Sequence, residues 1–195
     1  MKTARRPLHG LLGTQQRLAL WLGGLAVAMA CLDARAQITA APDEVEAAYV
    51  HKFLSYVEWP PRVLSTASAP IVVGVAGSDR MFDLLSAIAT SHTAQGRAIR
   101  IVRLGKPEQV PDLHLVFVGK DAWGDLPAWT AASKDRGLVV ATDAPQGVDR
   151  GATLAFVQLA GKIRFEASLS AAERAGIKLS ARLLAVADRV VGAGQ

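Results

Sequence analysis

The segment with the clearest potential for chemistry is a glycine-containing turn at residues 74–79, which follows an apolar run and opens a predicted helix. Nucleotide-binding folds place their phosphate loop at such a junction, because backbone N–H groups at a helix start attract phosphate. The third glycine of that fingerprint is absent, and Asp79 would put a negative charge where the phosphate should sit. The favoured interpretation is therefore an ordinary turn between a strand and a helix.

Histidine, serine and carboxylate side chains could also support catalysis or metal binding. His51, His92 and His114 have no metal-ligand partner at short spacing, so surface or core roles are favoured over a site built from all three. The serines lack the G-x-S-x-G context of a nucleophile elbow. Acidic pairs such as Asp43 and Glu46 are typical of charges at a helix start. The sequence therefore predicts no catalytic residue, no metal site and no cofactor.

An aromatic segment, FLSYVEWP at residues 53–60, is the candidate binding surface. Its aromatic side chains recur almost once per helical turn, although aromatic residues make up only 6% of the chain. Phe53 is expected to pack the helix onto the sheet, and core packing of the whole cluster is the alternative. Because Tyr56 and Trp59 combine an apolar ring with a polar group, as interface residues often do, we predict a partner-binding surface of Tyr56, Glu58 and Trp59. On that basis Trp59→Ala should weaken binding but barely change the melting temperature.

Predicted strands alternate with predicted helices along the chain and must position these residues. A first helix is expected from Asp43, as its N-cap, to the Trp59-Pro60 boundary, since proline disfavours helical geometry in the residue before it. Asp79 is expected to cap a second helix, and residues 127–133 to form a short third one. Four runs rich in apolar residues predict strands of a largely buried sheet: residues 71–75, 98–104, 113–118 and 137–141.

The C-terminal region has a different period. Apolar and polar residues alternate at 153–159 and 162–167, which predicts an antiparallel hairpin with one wet face. Ser170 and Glu173 predict a capping box, and Gly176 predicts the C-terminal cap of that helix. A last helix is expected to carry apolar side chains on one face: Leu179, Leu183, Val186 and Val190. The whole pattern predicts an α/β fold with a mostly parallel sheet covered on both sides.

The N-terminal 36 residues predict a secretory signal peptide. A basic start, an apolar run at 18–30 and Ala34-Arg35-Ala36 follow in the order that a signal peptidase reads, so cleavage is expected after Ala36. The apolar run is shorter than the roughly 20 residues that cross a bilayer, which disfavours an uncleaved anchor. Lipidation at Cys31 is a further alternative, disfavoured because leucine is missing three residues before it.

Cleavage would change both the charge and the redox chemistry of the chain. It removes five of the 22 basic residues and one of the 17 acidic ones, which leaves residues 37–195 with a net charge of +1. A domain with so small a net charge has no strongly basic surface that would indicate nucleic-acid binding. Cys31, the only cysteine, is also removed. The mature domain is therefore expected to have no disulfide, although an oxidising compartment would permit one.

Several segments also match the pattern of a known family in order and spacing: AAYVHKF at 47–53, YVEWP at 56–60, QGR at 95–97, LVFV at 115–118, GATLAF at 151–156, KIRFE at 162–166 and AAERAGIKLSARLL at 171–184. Together they resemble the YfiR family over nearly all of residues 37–195. The resemblance implies a periplasmic binding protein with a Rossmann-like three-layer sandwich that tends to form homodimers. The sequence departs from the family pattern at Arg150, where a glycine is common, and at Ser168, where asparagine is common. The mature chain also lacks the cysteine that many relatives have.

The resemblance also implies a regulatory role rather than an enzymatic one. The best-known member of the family binds the periplasmic sensor of an inner-membrane diguanylate cyclase and holds it inactive. Its release raises cyclic di-GMP and promotes biofilm formation, and an outer-membrane lipoprotein can sequester it. The alternative function is a periplasmic small-ligand-binding protein that uses the crevice at the carboxyl ends of the strands, near Gly77 and Thr142-Asp143.

Overall fold

The structure is a computed structural model that describes residues 40–64, 66, 68–107 and 112–192. The predicted signal peptide at 1–36 and Cys31 lie outside the described residues, so cleavage after Ala36 stays a prediction. Within the described ranges, no helix is both long enough and apolar enough to cross a membrane.

The described chain combines short helices with a large sheet. The α-helices are α1 (Pro42–Tyr56), α2 (Asp79–Ser91), α3 (Leu126–Ala132), α4 (Leu169–Ala175) and α5 (Ala181–Leu184), and a 3-10 helix spans Lys120–Asp125. The strands are β1 (Val57–Glu58), β2 (Ile71–Ala76), β3 (Thr93–Ala94), β4 (Arg97–Leu104), β5 (Leu115–Val118), β6 (Val139–Thr142), β7 (Leu154–Leu159), β8 (Lys162–Ser168), β9 (Lys178–Leu179) and β10 (Arg189–Val191).

Eight of these strands form one sheet, in the order β10-β8-β7-β6-β5-β2-β4-β3. Neighbouring strands are parallel except in the β7–β8 and β3–β4 pairs. The predicted hairpin is thus confirmed, with Leu159 opposite Lys162 at its turn. The remaining two strands, β1 and β9, pair with each other. The prediction of an α/β fold with a mostly parallel sheet is confirmed at this level.

The sheet separates two apolar cores, since side chains alternate between its faces. Val73 and Val75 of β2 belong to the core that α1, α2 and α4 cover, whereas Val72 and Ala76 belong to the core beneath the 3-10 helix and α3. Every residue of β2, β5 and β6 is buried, as expected for central parallel strands. These continuous apolar runs are the reason that the strands were predictable.

Three predicted helix caps are wrong, each by one or two residues. Ala41 is the N-cap of α1, because Pro42 suits the first helical position, and Asp43 lies in the first turn. Ser78, rather than Asp79, caps α2 and accepts a hydrogen bond from the Met81 N–H at 3.2 Å. The N-cap of α4 is Ser168 rather than the predicted Ser170.

Ser168, and not Ser170, caps α4. Its Oγ accepts a hydrogen bond from the Ala171 N–H at 3.1 Å, so the predicted capping box of Ser170 and Glu173 does not form as such. The C-terminal cap is confirmed, because Gly176 adopts a left-handed φ of 73°. Glycine reaches this conformation without the steric cost that other residues have.

The predicted last helix is also wrong. Only one turn forms, α5, and the chain then runs as β10 in parallel beside β8. The Arg189 guanidinium holds this strand, because it donates to the Glu166 carboxylate at 2.7 and 2.8 Å and to the Asp149 carboxylate at 2.9 and 3.1 Å. Val186, expected on an apolar helix face, is 63% exposed.

Candidate functional site

The carboxyl edge of the sheet is where an α/β fold of this kind usually binds ligands. The switch point lies between β2 and β5, since the chain continues from β2 to β4 on one side and returns to β5 on the other. Gly119 and Asp121 close this point, with their N–H groups bonded to the carbonyls of Ala76 (2.8 Å) and Gly77 (3.1 Å). A Cβ atom on Gly77 would lie 2.3 Å from the Ala122 nitrogen. The turn at 74–79 is therefore packed against protein, in agreement with its interpretation as an ordinary turn between a strand and a helix.

The polar side chains at the same edge are also engaged. Thr142 donates to the Val118 carbonyl at 2.7 Å, and Asp143 accepts a hydrogen bond from the Trp123 indole N–H at 2.7 Å. Burial raises the pKa of Asp143, although the Trp123 hydrogen bond opposes this shift. Gly77, Thr142 and Asp143 line neither the cavity at the amino ends of β2, β5 and β6 nor the groove beside Trp59.

Glu46 of α1 is an acidic side chain buried near this edge of the sheet, with 8% of its surface exposed. Burial is the main cause that raises its pKa to about 8, and the nearby charges of Asp143 and Asp43 add to the shift. A carboxyl group with such a pKa is mostly protonated at neutral pH. The prediction that Glu46 is one of the favourable charges of a helix start is wrong, because the side chain is buried.

The aromatic segment divides between the core and the surface. Phe53 is 1% exposed, and its ring lies 4.9 Å from that of Phe165, 5.8 Å from that of Phe156 and 6.0 Å from that of Tyr49. The expectation that Phe53 packs α1 onto the sheet is confirmed. Tyr56 is half-buried at the end of the helix, and its carbonyl accepts a hydrogen bond from the Ser180 N–H at 3.0 Å.

Glu58 and Trp59 lie where α1 gives way to β1. Glu58 is exposed and stands opposite Lys178 in the β1–β9 pair. The half-buried Trp59 packs edge-on against His114, with ring centroids 5.9 Å apart. Its Nε1 atom is buried and has no hydrogen-bond partner among the residues that the structure describes. Trp59 thus has both a packed side and a donor that is still unpaired.

A groove of about 800 Å³ opens beside these two residues, and we call it the Trp59 groove. Glu58, Trp59 and Pro60 form one part of its lining, α4 contributes Leu169, Ala172 and Glu173, and the rest comes from the segment Gly176–Leu179 and from Gly192. Sequence reasoning found the first part and missed α4, because only the tertiary fold brings residues more than 100 positions apart together. Tyr56 does not line the groove, and its partly buried ring packs against the core.

The three histidines are not brought together into one site. His51 and His92 are neighbours, with ring centroids 5.3 Å apart, whereas His114 is buried just before β5 and contacts Trp59. No cluster of three or more possible metal ligands occurs within the described ranges.

Trp59→Ala should cost about 1–3 kcal/mol of unfolding free energy, because the ring packs on the core and on His114. This revises the expectation of a nearly unchanged melting temperature. Urea unfolding measures the loss, and Leu159→Ala, at a position that is 44% exposed, is the matched surface control. A Trp59→Ala variant as stable as that control would show that the ring does not pack as described.

The family model described as YfiR/HmsC-like matches residues 43–188, which include α1 except its first residue, the lining of the Trp59 groove except Gly192, and every strand of the sheet except β10. The chain belongs to the YfiR/HmsC-like family. This is a regulatory family of periplasmic proteins associated with diguanylate cyclase signalling and with a membrane sensor as partner.

A solved structure resembles the fold. It is the crystal structure of a conserved domain protein from Vibrio cholerae O1 biovar El Tor str. N16961, with a TM-score of 0.51 and 17% sequence identity. The alignment covers 77% of this chain and 60% of the Vibrio chain, so this protein matches less than two thirds of that one. At this identity the likeness supports the fold alone. No curated protein matches the sequence.

Proposed function

We propose that this YfiR/HmsC-like protein is exported to the periplasm and represses an inner-membrane diguanylate cyclase, or a similar sensor, by binding its periplasmic domain. The observation that carries the proposal is the position of the Trp59 groove. Glu58, Trp59 and Pro60, the last three residues of the family-typical segment YVEWP at 56–60, form one wall of an open groove. The protein would act by binding, and it would lower cyclic di-GMP and biofilm formation without catalysing a reaction.

The chemistry of the groove suits a protein partner. Trp59, Ile177 and Leu179 contribute apolar side chains to its lining, and Glu58, Glu173 and Lys178 contribute exposed charged ones. Interfaces commonly combine an apolar centre with a charged rim, and tryptophan is enriched among the residues that contribute most to affinity.

Other features that the resemblance implies belong to the same proposal. The two cores on opposite faces of the sheet fit a Rossmann-like three-layer sandwich. We propose that the protein forms a homodimer and that an outer-membrane lipoprotein can sequester it from the sensor. Cleavage after Ala36 would deliver the domain to the compartment in which both partners are accessible.

Deletion of the gene tests the repressor function. Cyclic di-GMP should rise in the deletion strain and return to its original level when the full chain is expressed from a plasmid. The partner cyclase must be expressed in the strain tested. An unchanged cyclic di-GMP level under that condition would contradict the proposal.

Reversing two charges at the groove should abolish this complementation. Glu58→Lys combined with Glu173→Lys changes the rim from acidic to basic without altering a buried residue, so binding should weaken while the fold persists. Cyclic di-GMP is measured with the double variant in the deletion strain. Asp121→Lys combined with Asp125→Lys makes the same change at the opposite edge of the sheet and should still complement.

The amount of periplasmic protein must be equal for the two double variants. If the Glu58/Glu173 variant represses as well as the wild type, the partner does not bind at the Trp59 groove. The deletion experiment tests separately whether the protein represses the cyclase through any surface.

A further inference from the structure

Two histidines from different helices lie side by side, although they are far apart in the sequence. His51 belongs to α1, and His92 is the C-terminal cap of α2. Their ring centroids are 5.3 Å apart. Neither ring lines the Trp59 groove, so the proposed repressor function gives no reason for the pair. Paired imidazoles are common ligands of transition-metal ions, which makes this pair a candidate site.

The separation of the two rings matches that of two ligands on one ion. Imidazole nitrogens bind a zinc or copper ion at about 2.0–2.1 Å, so two such rings have centroids roughly 4.5–5.5 Å apart at square-planar or tetrahedral angles. The observed 5.3 Å falls in that range. The ring planes are inclined at 70° and therefore intersect, which in-plane lone pairs require if they are to meet at one ion.

Backbone carbonyls determine which nitrogen of each ring carries the proton. Nε2 of His51 lies 3.4 Å from the carbonyl oxygen of Thr93, and Nδ1 of His92 lies 3.2 Å from that of Ile88. A carbonyl only accepts, so these two nitrogens are the donors, and the Ser91 hydroxyl accepts from the same Nδ1 at 2.9 Å. The lone pairs are then on Nδ1 of His51 and Nε2 of His92. Histidines that bind metals are usually oriented in this way, by a second nitrogen that donates to a carbonyl.

Both rings are accessible to an ion from solvent. His92 is exposed, and His51 is half-buried. Among the described residues, the buried side-chain nitrogens and oxygens that lack a hydrogen-bond partner belong to Trp59, His114 and Trp129. Nδ1 of His51 has no hydrogen bond within the described ranges and is not one of these buried atoms, so it is open to solvent.

We propose that His51 and His92 together bind one divalent ion of the copper or zinc type, through Nδ1 of His51 and Nε2 of His92. No third possible protein ligand joins them among the described residues, so water would complete the coordination shell. Neutral imidazole suits both ions, and copper should bind more tightly. The bound ion would link α1 to the end of α2. The site is independent of the repressor function and can be tested without a partner.

Titration of the untagged full chain with CuCl₂ and, separately, with ZnCl₂ tests the site. The chain carries Cys31→Ser, so that no thiolate competes for the ion. One Cu²⁺ should bind per chain with a dissociation constant of about 10 μM or tighter, and Zn²⁺ should bind more weakly. Bound Cu²⁺ should raise the melting temperature by mass action, whereas MgCl₂, whose ion prefers oxygen ligands, should not. If neither Cu²⁺ nor Zn²⁺ binds saturably, the proposal is wrong.

Substitution of each histidine locates the ion. His51→Gln and His92→Gln should each weaken Cu²⁺ binding at least about tenfold, because the second ligand of a pair acts at a high effective concentration. Both variants should melt as the parent chain does when no metal is present. Lys52→Gln, at the exposed neighbouring position on α1, is the matched control and should bind Cu²⁺ at least as tightly as the parent. Unchanged affinity in either histidine variant would show that the two rings do not share one ion, and would overturn the proposal.

Pulsed electron paramagnetic resonance of the copper-loaded chain gives a readout that does not depend on affinity. The spectrum should contain the modulation of two imidazole rings on one Cu²⁺ ion. Each histidine variant should reduce it to that of a single ring. A parent spectrum with one imidazole or with none would contradict the assignment.

Discussion

Phe53→Ala should lower the free energy of unfolding by about 3–5 kcal/mol, enough to unfold much of a marginally stable domain. The ring is 1% exposed and contacts Tyr49, Phe156 and Phe165, so it joins α1 to the β7–β8 hairpin. Alanine would leave a cavity between the helix and the sheet that neighbouring rings can fill only in part. The loss is large because both the transfer of the ring from water and its aromatic contacts are removed.

Urea unfolding followed by tryptophan fluorescence measures this loss, with the buried Trp129 as a reporter on the opposite face of the sheet. Val186→Ala is the matched control, because Val186 is 63% exposed and should change stability by less than about 0.5 kcal/mol. A loss below about 1 kcal/mol for Phe53→Ala would mean that α1 is not anchored to the hairpin through this ring.

Glu46→Gln should remove much of the pH dependence of stability between about pH 5 and pH 8. The pKa of Glu46 is about 8 in the folded protein, against 4.5 for the free group, so between these values the folded state keeps a proton that the unfolded state has lost. The free energy of unfolding therefore falls as the pH rises through this window and levels off above it. The raised pKa of Asp143 acts in the same direction.

The variant should be more stable than the wild type by about 3–5 kcal/mol at pH 9, because glutamine keeps the shape of the protonated acid without its ionisation. At pH 5 the two should be similar. Glu173→Gln makes the same change at an exposed position and serves as the control. The window excludes acid pH, where the Arg189 contact lowers the pKa of Asp149 and adds a separate dependence of opposite sign. Parallel profiles for Glu46→Gln and the wild type would contradict the buried-acid interpretation.

The central part of the fold could be predicted because local sequence and tertiary structure agree there. The apolar runs of β2, β5 and β6 are buried on both faces, and the alternation of β8 matches a hairpin with one exposed face. The C-terminal region could not, because residues 179, 183, 186 and 190 have helical spacing while Arg189 finds its partners in Asp149 and Glu166. Such distant ion pairs leave no periodic signal.

The candidate site was predictable to a similar degree. Aromatic spacing pointed to Glu58 and Trp59, and these residues do line the Trp59 groove. The opposite wall comes from α4, which lies more than 100 positions further along the chain and which no motif connects to Trp59. Glu46 has the sequence context of an ordinary acid at a helix start, and only the packing of α1 against the carboxyl edge reveals its burial.

Photo-crosslinking in living cells tests the central claim most directly. Glu58→p-benzoylphenylalanine places a photo-reactive side chain at the rim of the Trp59 groove, and Lys120→p-benzoylphenylalanine places it at the exposed carboxyl edge of the sheet. We predict that irradiation links position 58, and not position 120, to an inner-membrane protein with a diguanylate cyclase domain or a related sensor output domain. If position 58 gives no such adduct in cells that express the cyclase, or if position 120 gives it instead, the proposed function of the groove is contradicted.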